Sequence, residues 1–214
     1  MSDSNTSIDY GPLTGLIGSW KGDKGMDIAP TPDDVQTSLY YETLSFEAIG
    51  DVTNAGTQTL AVLHYQQIVK RKVDDAVFHH ETGYWMWDAS SATVMNSLTI
   101  PRAVAVLAGG RYSASDQNQP PHGASQNADE TMRSEVFTPE VTASEVITLE
   151  VKAAIDDPDW SIVQSPFMRD NAKTVAFAHK ISVGGDSLSY SETTTLDIYG
   201  RIFEHTDKNE LVRA

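Results

Sequence analysis

His205 stands in a C-terminal segment where Ile202, Phe203, Leu211 and Val212 are spread among polar residues, so the segment is expected to be tied into the fold as a strand. A strand fixes the direction of a side chain. A neutral imidazole aimed inward by one can ligate a metal ion or a haem iron, and otherwise must find a hydrogen-bond partner. The second candidate is His79-His80-Glu81. Successive side chains on a strand point to opposite faces, so only His79 and Glu81 could share one ligand set. Two ligands are too few for a closed metal site, and one imidazole is expected to face solvent while the other lines the interior. His179 falls on an apolar parity, where a core or rim histidine with its hydrogen bonds satisfied is the simpler expectation.

Composition removes several alternatives. The chain has no cysteine, which excludes disulfides, thiolate metal sites and cysteine nucleophiles and leaves His, carboxylate and neutral oxygen as metal ligands. Lys and Arg number 15 against 30 Asp and Glu, and the net charge of −15 argues against nucleic acid or an anionic membrane as partner. No Gly-x-Ser-x-Gly elbow, His-x-x-x-His pair or Glu-x-x-His pair occurs, so a hydrolase or isomerase working through side chains alone has no motif behind it. The N-terminus lacks a basic start with an apolar run, and no window approaches the about 20 apolar residues of a membrane span. A soluble cytoplasmic protein is expected.

Strands must position these residues. Gly18, Gly22 and Gly25 surround Trp20, a pattern suited to a strand that bends hard and lets another backbone come close. Tyr40, Leu44, Phe46 and Ala48 share one parity; Leu60, Val62 and Ile68 share a parity of the next run, with 50–56 as the hairpin loop between them. Runs at 76–87, 93–98, 102–107 and 146–151 follow, Pro101 marking an edge, a bulge or a tight corner. Then Val175, Phe177, His179, Ile181 and Val183 alternate, Gly184-Gly185-Asp186 turns, and Leu188, Tyr190, Thr194 and Leu196 form the next strand. The stretch 111–133 is too polar to bury itself and is expected to be a surface insertion. Residues 1–12 are expected to be a flexible leader and 13–214 a single domain. Hairpin connections and few helices predict an all-β protein, an antiparallel up-and-down β-barrel of about ten strands, lipocalin-like or fatty-acid-binding-protein-like, around one small-ligand cavity. A two-sheet sandwich is the alternative.

Three separated stretches resemble the nitrobindin family, haem-binding barrels similar to fatty-acid-binding proteins. Gly18-Ser19-Trp20-Lys21-Gly22 is similar to the opening of that family's Gly-x-Trp-x-Gly-x-Gly motif, with the third glycine displaced to Gly25, and Pro30-Thr31 stands where the family has Pro-Thr. His80-Glu81-Thr82-Gly83-Tyr84 resembles the family's His-x-Ser-Gly-aromatic segment, which lines the cavity. His205, with Thr193-Thr194-Thr195 upstream, takes the place of the family's proximal haem ligand. The resemblance spans Leu16 to Arg213. It implies a pentacoordinate ferric haem b in the barrel mouth, with His205 on the iron and Thr31 and His80 beside the cofactor. It further implies binding of nitric oxide and conversion of peroxynitrite to nitrate. A homodimer is a separate, open expectation. The competing expectation is a haem-free barrel for a fatty acid or other apolar metabolite, its carboxylate fixed by Arg102, Arg111, Arg169 or Arg201.

Overall fold

The structure, a computed structural model, describes residues 8–113 and 146–214. The leader through Ser7 and all of the expected insertion beyond Ser113 lie outside the described residues. Eleven strands are present among them: β1 (Gly18–Pro30), β2 (Val35–Ala55), β3 (Gln58–Arg71), β4 (Val77–Asp88), β5 (Thr93–Ile100), β6 (Val104–Arg111), β7 (Ile147–Ala154), β8 (Ile162–Gln164), β9 (Ala172–Gly184), β10 (Ser187–Ile198) and β11 (Arg201–Arg213). All but β8 pair antiparallel in a ring that follows chain order and closes where β11 meets β1. The short β8 adds to β6, so the architecture is a ten-stranded closed barrel and not a sandwich. The weakest seam is β6 against β7, where a single pair, Gly109 with Lys152, is in register. No helix among the described residues is long and apolar enough to cross a membrane.

The two ends of the barrel differ. At one end a three-ten helix (Gly11–Leu16) sets Leu13 and Leu16 against the core with no exposure, and Trp20 Nε1 donates to Leu16 O at 2.8 Å. The other end is ringed by the β1–β2, β3–β4, β5–β6 and β10–β11 turns and partly roofed by a short helix, α1 (Pro166–Asn171). Ser165 caps that helix by accepting from Met168 N, and Met168 turns its side chain inward.

Two expectations need correction. The hairpin loop at 50–56 is in fact strand, since β2 runs to Ala55 and only Gly56 and Thr57 turn; Gly50, with φ of 107°, sits at an irregularity in the ladder. On β3 the inward parity is Ala61, Leu63, Tyr65 and Val69 rather than Leu60, Val62 and Ile68. Both parities of β3 are apolar, so the partner strand decides. Directly paired residues share a face, and the core residue Phe46 pairs with Tyr65, with the two rings stacked at 5.8 Å.

Candidate functional site

Alternation along β11 turns Phe203, His205, Asp207, Asn209 and Leu211 inward. The same rule on β4 turns His79 and Glu81 inward, because they pair with the inward residues Val69 and Gln67. Thr82, Tyr84 and His80 face outward. His80 is exposed and meets Gln66 at 3.2 Å, so the imidazole of this segment that lines the interior is His79 and not His80. Thr31 lies in the β1–β2 turn at the open end, its hydroxyl accepting from Asp34 N at 2.9 Å. The structure therefore brings His205 and His79 to one cavity, leaves Thr31 at its rim, and separates His80 from it.

Two chambers open between these strands. The larger, about 290 Å³, has apolar walls from Leu98, Val104, Val106, Phe177 and Leu196, with Arg102 and Pro30 also in its lining. The smaller, about 180 Å³, is polar and is bounded by Asp27, Tyr40, Gln67 and Tyr190. His79, Glu192, His205 and Asp207 belong to both and form the wall between them. Of the four arginines considered for a fatty-acid head group, only Arg102 reaches this lining. Arg111 is exposed, Arg169 pairs with Asp170 at 2.8 Å, and Arg201 gives its Nη2 to Thr31 O and Asp34 O.

His205 Nε2 lies 2.6 Å from Asp27 Oδ1 and 3.4 Å from Asp207 Oδ2. Asp27 faces Asp207 directly across the β1–β11 ladder, which is why both carboxylates reach one imidazole. Burial alone would hold the imidazole below its ordinary pKa, but the Asp27 hydrogen bond and the two carboxylate charges outweigh it and raise the value. Burial pushes Asp207 up to about 7, His205 working against it and Asp27 with it. On β4, burial favours the neutral form of both His79 and Glu81, yet their mutual contact at 3.4 Å prevails and raises His79 while lowering Glu81. Tyr65 OH donates to Glu81 at 2.5 Å. Glu192 is held well above the carboxylate range by burial and then by the charges of Glu81 and Asp207.

His179 is a core histidine, but not a satisfied one. It stands among the rings of Trp85, Phe177 and Tyr190, neither ring nitrogen has a hydrogen-bond partner among the described residues, and burial lowers its pKa to about 4.

The opening motif serves the frame around this site. Trp20 is fully buried under the Arg213 guanidinium, 4.2 Å from its ring. Gly18 precedes it with φ of 126° at the start of β1. Gly22 and Gly25 permit close approach: a Cβ on Gly22 would come 2.7 Å from Asn209 Nδ2, and one on Gly25 would overlap the Tyr40 ring. The ladder between β1 and β2 shifts register between these two glycines, which lets Tyr40 lie across Gly25 and join the polar chamber.

The donor set suits a haem. Because a carboxylate can only accept, His205 Nε2 must carry the proton given to Asp27, and the neutral tautomer then keeps its lone pair on Nδ1, which has no hydrogen bond among the described residues. An imidazole backed by a carboxylate beside an apolar chamber is the outer-sphere arrangement that metal-binding histidines use. Asp27, His205 and Asp207 could also hold a bare metal ion, their donor atoms lying within 4.8 Å of one another.

Sequence reasoning missed Asp27, Asp207 and Glu192. Parity was the available signal, since Asp207 shares the face assigned to Phe203 and His205, and Glu192 that of Tyr190 and Thr194.

No curated protein matches the sequence. Among solved structures, the chain is similar to one described as the crystal structure of Rv2717c from M. tuberculosis, with a TM-score of 0.62 and 22% identity over 96% of this chain and 99% of that one. At that identity the likeness is one of fold. Residues 9–145, more than half of the chain, match the family described as THAP4-like, heme-binding beta-barrel domain. The match ends before β7, so His205 lies beyond it. With its barrel, its Gly-Trp-Gly opening and this match in agreement, the chain belongs to the THAP4-like, haem-binding β-barrel domain family, the nitrobindin-type barrels that its motifs resemble.

Proposed function

We propose that the barrel holds haem b through His205 and binds nitric oxide or a related reactive nitrogen species, with isomerisation of peroxynitrite to nitrate as its reaction. The observation that carries this reading is the 2.6 Å contact between Asp27 and His205 Nε2, which orients the ring and leaves the other nitrogen for a ligand, on the wall of an apolar chamber. Bound haem would supply an iron with an open coordination position for a small nitrogen oxide. The protein's own part is positioning and protection. Leu98, Val106, Phe177 and Leu196 exclude water from the chamber, Arg102 offers a guanidinium to a propionate, and His79 holds a proton more tightly than a free imidazole because Glu81 stands behind it. Thr31 completes the rim.

The test is a hemin titration followed by absorbance, and then by addition of nitric oxide. Wild-type protein should develop a Soret band that nitric oxide shifts. His205→Ala should lose most hemin affinity while keeping the barrel's circular dichroism, and added imidazole should partly restore the spectrum. Wild-type protein that takes up no hemin, or a His205→Ala variant with unchanged affinity and Soret maximum, refutes the assignment.

A further inference from the structure

The lining of the polar chamber has a chemistry of its own. Three acids, Asp27, Glu192 and Asp207, border it, and among the described residues no Lys or Arg does, Arg71 lying against the Phe78 ring at 5.8 Å. Its nitrogen groups are the imidazoles of His79 and His205 and the amide of Gln67. His79 is already committed to Glu81, and a single His205 ring faces two aspartates. At the chamber two aspartates thus face one imidazole, a shortage of positive charge that a bound cation would relieve.

Three aromatic rings, Tyr40, Phe78 and Tyr190, join the lining together with Ala29 and Val69. Tyr40 and Phe78 meet edge to face at 67° with centroids 6.1 Å apart, which makes a corner of two ring walls. Tyr190 OH donates to Glu42 and accepts from Tyr40 OH at 2.7 Å, with Lys208 O a further 3.2 Å neighbour of the Tyr40 hydroxyl, so both rings are locked in place. Gly25 provides the space that Tyr40 occupies.

We propose that this chamber binds the ammonium group of a small organic amine, its alkylated nitrogen against the Tyr40, Tyr190 and Phe78 rings and its charge balanced by Asp27 and Asp207. Aromatic rings give nothing to the coordination shell of a metal ion but attract a weakly hydrated organic cation through their electron-rich faces, and desolvation strengthens that attraction. Carboxylates at the same chamber add charge selectivity over an uncharged ligand of the same shape. The proposal goes beyond the haem reading and does not depend on it.

Calorimetric titration of the full chain without added hemin tests it, with choline as the probe and dimethylbutanol, the uncharged carbon isostere, as control. Choline should bind at one site, and dimethylbutanol about tenfold or more weakly. Asp207→Asn preserves shape and should weaken choline about tenfold. Tyr40→Leu removes a ring that lines this chamber and not the apolar one and should do the same, with circular dichroism verifying its fold. No heat with choline, equal affinity for choline and dimethylbutanol, or a site that takes Zn2+ but not choline overturns the proposal. Hemin titration of wild-type and Tyr40→Leu protein reads the haem assignment separately, since failure of hemin uptake with choline binding intact strikes only the former reading, and the converse only this one.

Discussion

Trp20→Ala should be among the most damaging single changes in the chain. The indole is fully buried, its Nε1 donates to Leu16 O at 2.8 Å, and the Arg213 guanidinium lies 4.2 Å from its ring. Truncating a buried Trp to Ala costs about 3–5 kcal/mol through lost transfer energy and the cavity left behind. The same change strands Leu16 O and unseats Arg213, which also donates to Ile17 O and Gly15 O and so joins the end of β11 to the three-ten helix. Against a typical total stability of about 5–15 kcal/mol, that is a large fraction of the whole. For a chain of this length it should lower the melting temperature by about 6–20 °C. Urea and thermal unfolding followed by circular dichroism measure it. Trp20→Phe separates the contributions: it keeps most of the buried surface but lacks the N–H donor, and should cost about 1–3 kcal/mol. A Trp20→Ala loss below about 1 kcal/mol would show that the closed end is not held by this indole.

Three further outcomes follow from the site's geometry. His80→Ala should change stability by less than about 0.5 kcal/mol and leave hemin uptake unchanged, because the ring is exposed and its hydrogen-bond partner among the described residues is Gln66; reduced uptake would contradict its outward placement. Glu81→Gln should lower the His79 pKa, seen as a downward move of its NMR titration midpoint, because the buried charge that raises it is gone; an unmoved midpoint would deny the coupling. Glu192 keeps its proton in the folded state to a pH well above the ordinary carboxylate value, whereas the unfolded chain releases it near 4.5. The folded state then binds the extra proton, so this group's contribution to stability falls as pH rises above the ordinary carboxylate value, and Glu192→Gln should flatten that part of the urea-midpoint profile; an unchanged slope would assign the proton elsewhere.

Much of the barrel was legible because its period-two pattern is strong where one parity is polar. Phe177, Ile181 and Val183 on β9 and Leu188 and Tyr190 on β10 are buried as alternation predicts. Where both parities are apolar, as on β3, the residues in isolation do not decide, and only the pairing of Phe46 with Tyr65 does. The same dependence separates His79 from His80, since the inward face of β4 is inherited from β3 through Val69 and Gln67. His205 was readable from Phe203 on its own strand. Asp207 followed from the same parity but was hidden by the habit of reading acidic residues as solvated. Asp27 was hidden more deeply, because what buries it is its register opposite Asp207 on a strand from the other end of the chain.

The buried acids divide into two kinds, and the division separates frame from site. Glu42 accepts from Gln67, Tyr190 and Asn209, and Glu81 from Tyr65 with His79 alongside, so each has its partners within the barrel wall. Such a satisfied network locks strands β2, β3, β4, β10 and β11 into one arrangement, and removal of any partner would strand a charge. Asp207 and Glu192 are different. Asp207 shares one imidazole with Asp27 at 3.4 Å, and the nearest imidazole to Glu192 is His179 at 3.8 Å, beyond a hydrogen bond. Folding alone does not call for these two acids, since apolar residues of the same volume would pack the barrel at least as well. They border both the apolar and the polar chamber, Asp207 sharing its imidazole and Glu192 kept protonated by burial beside Thr194. The site is therefore readable as the place where the barrel's own polar groups fail to complete one another.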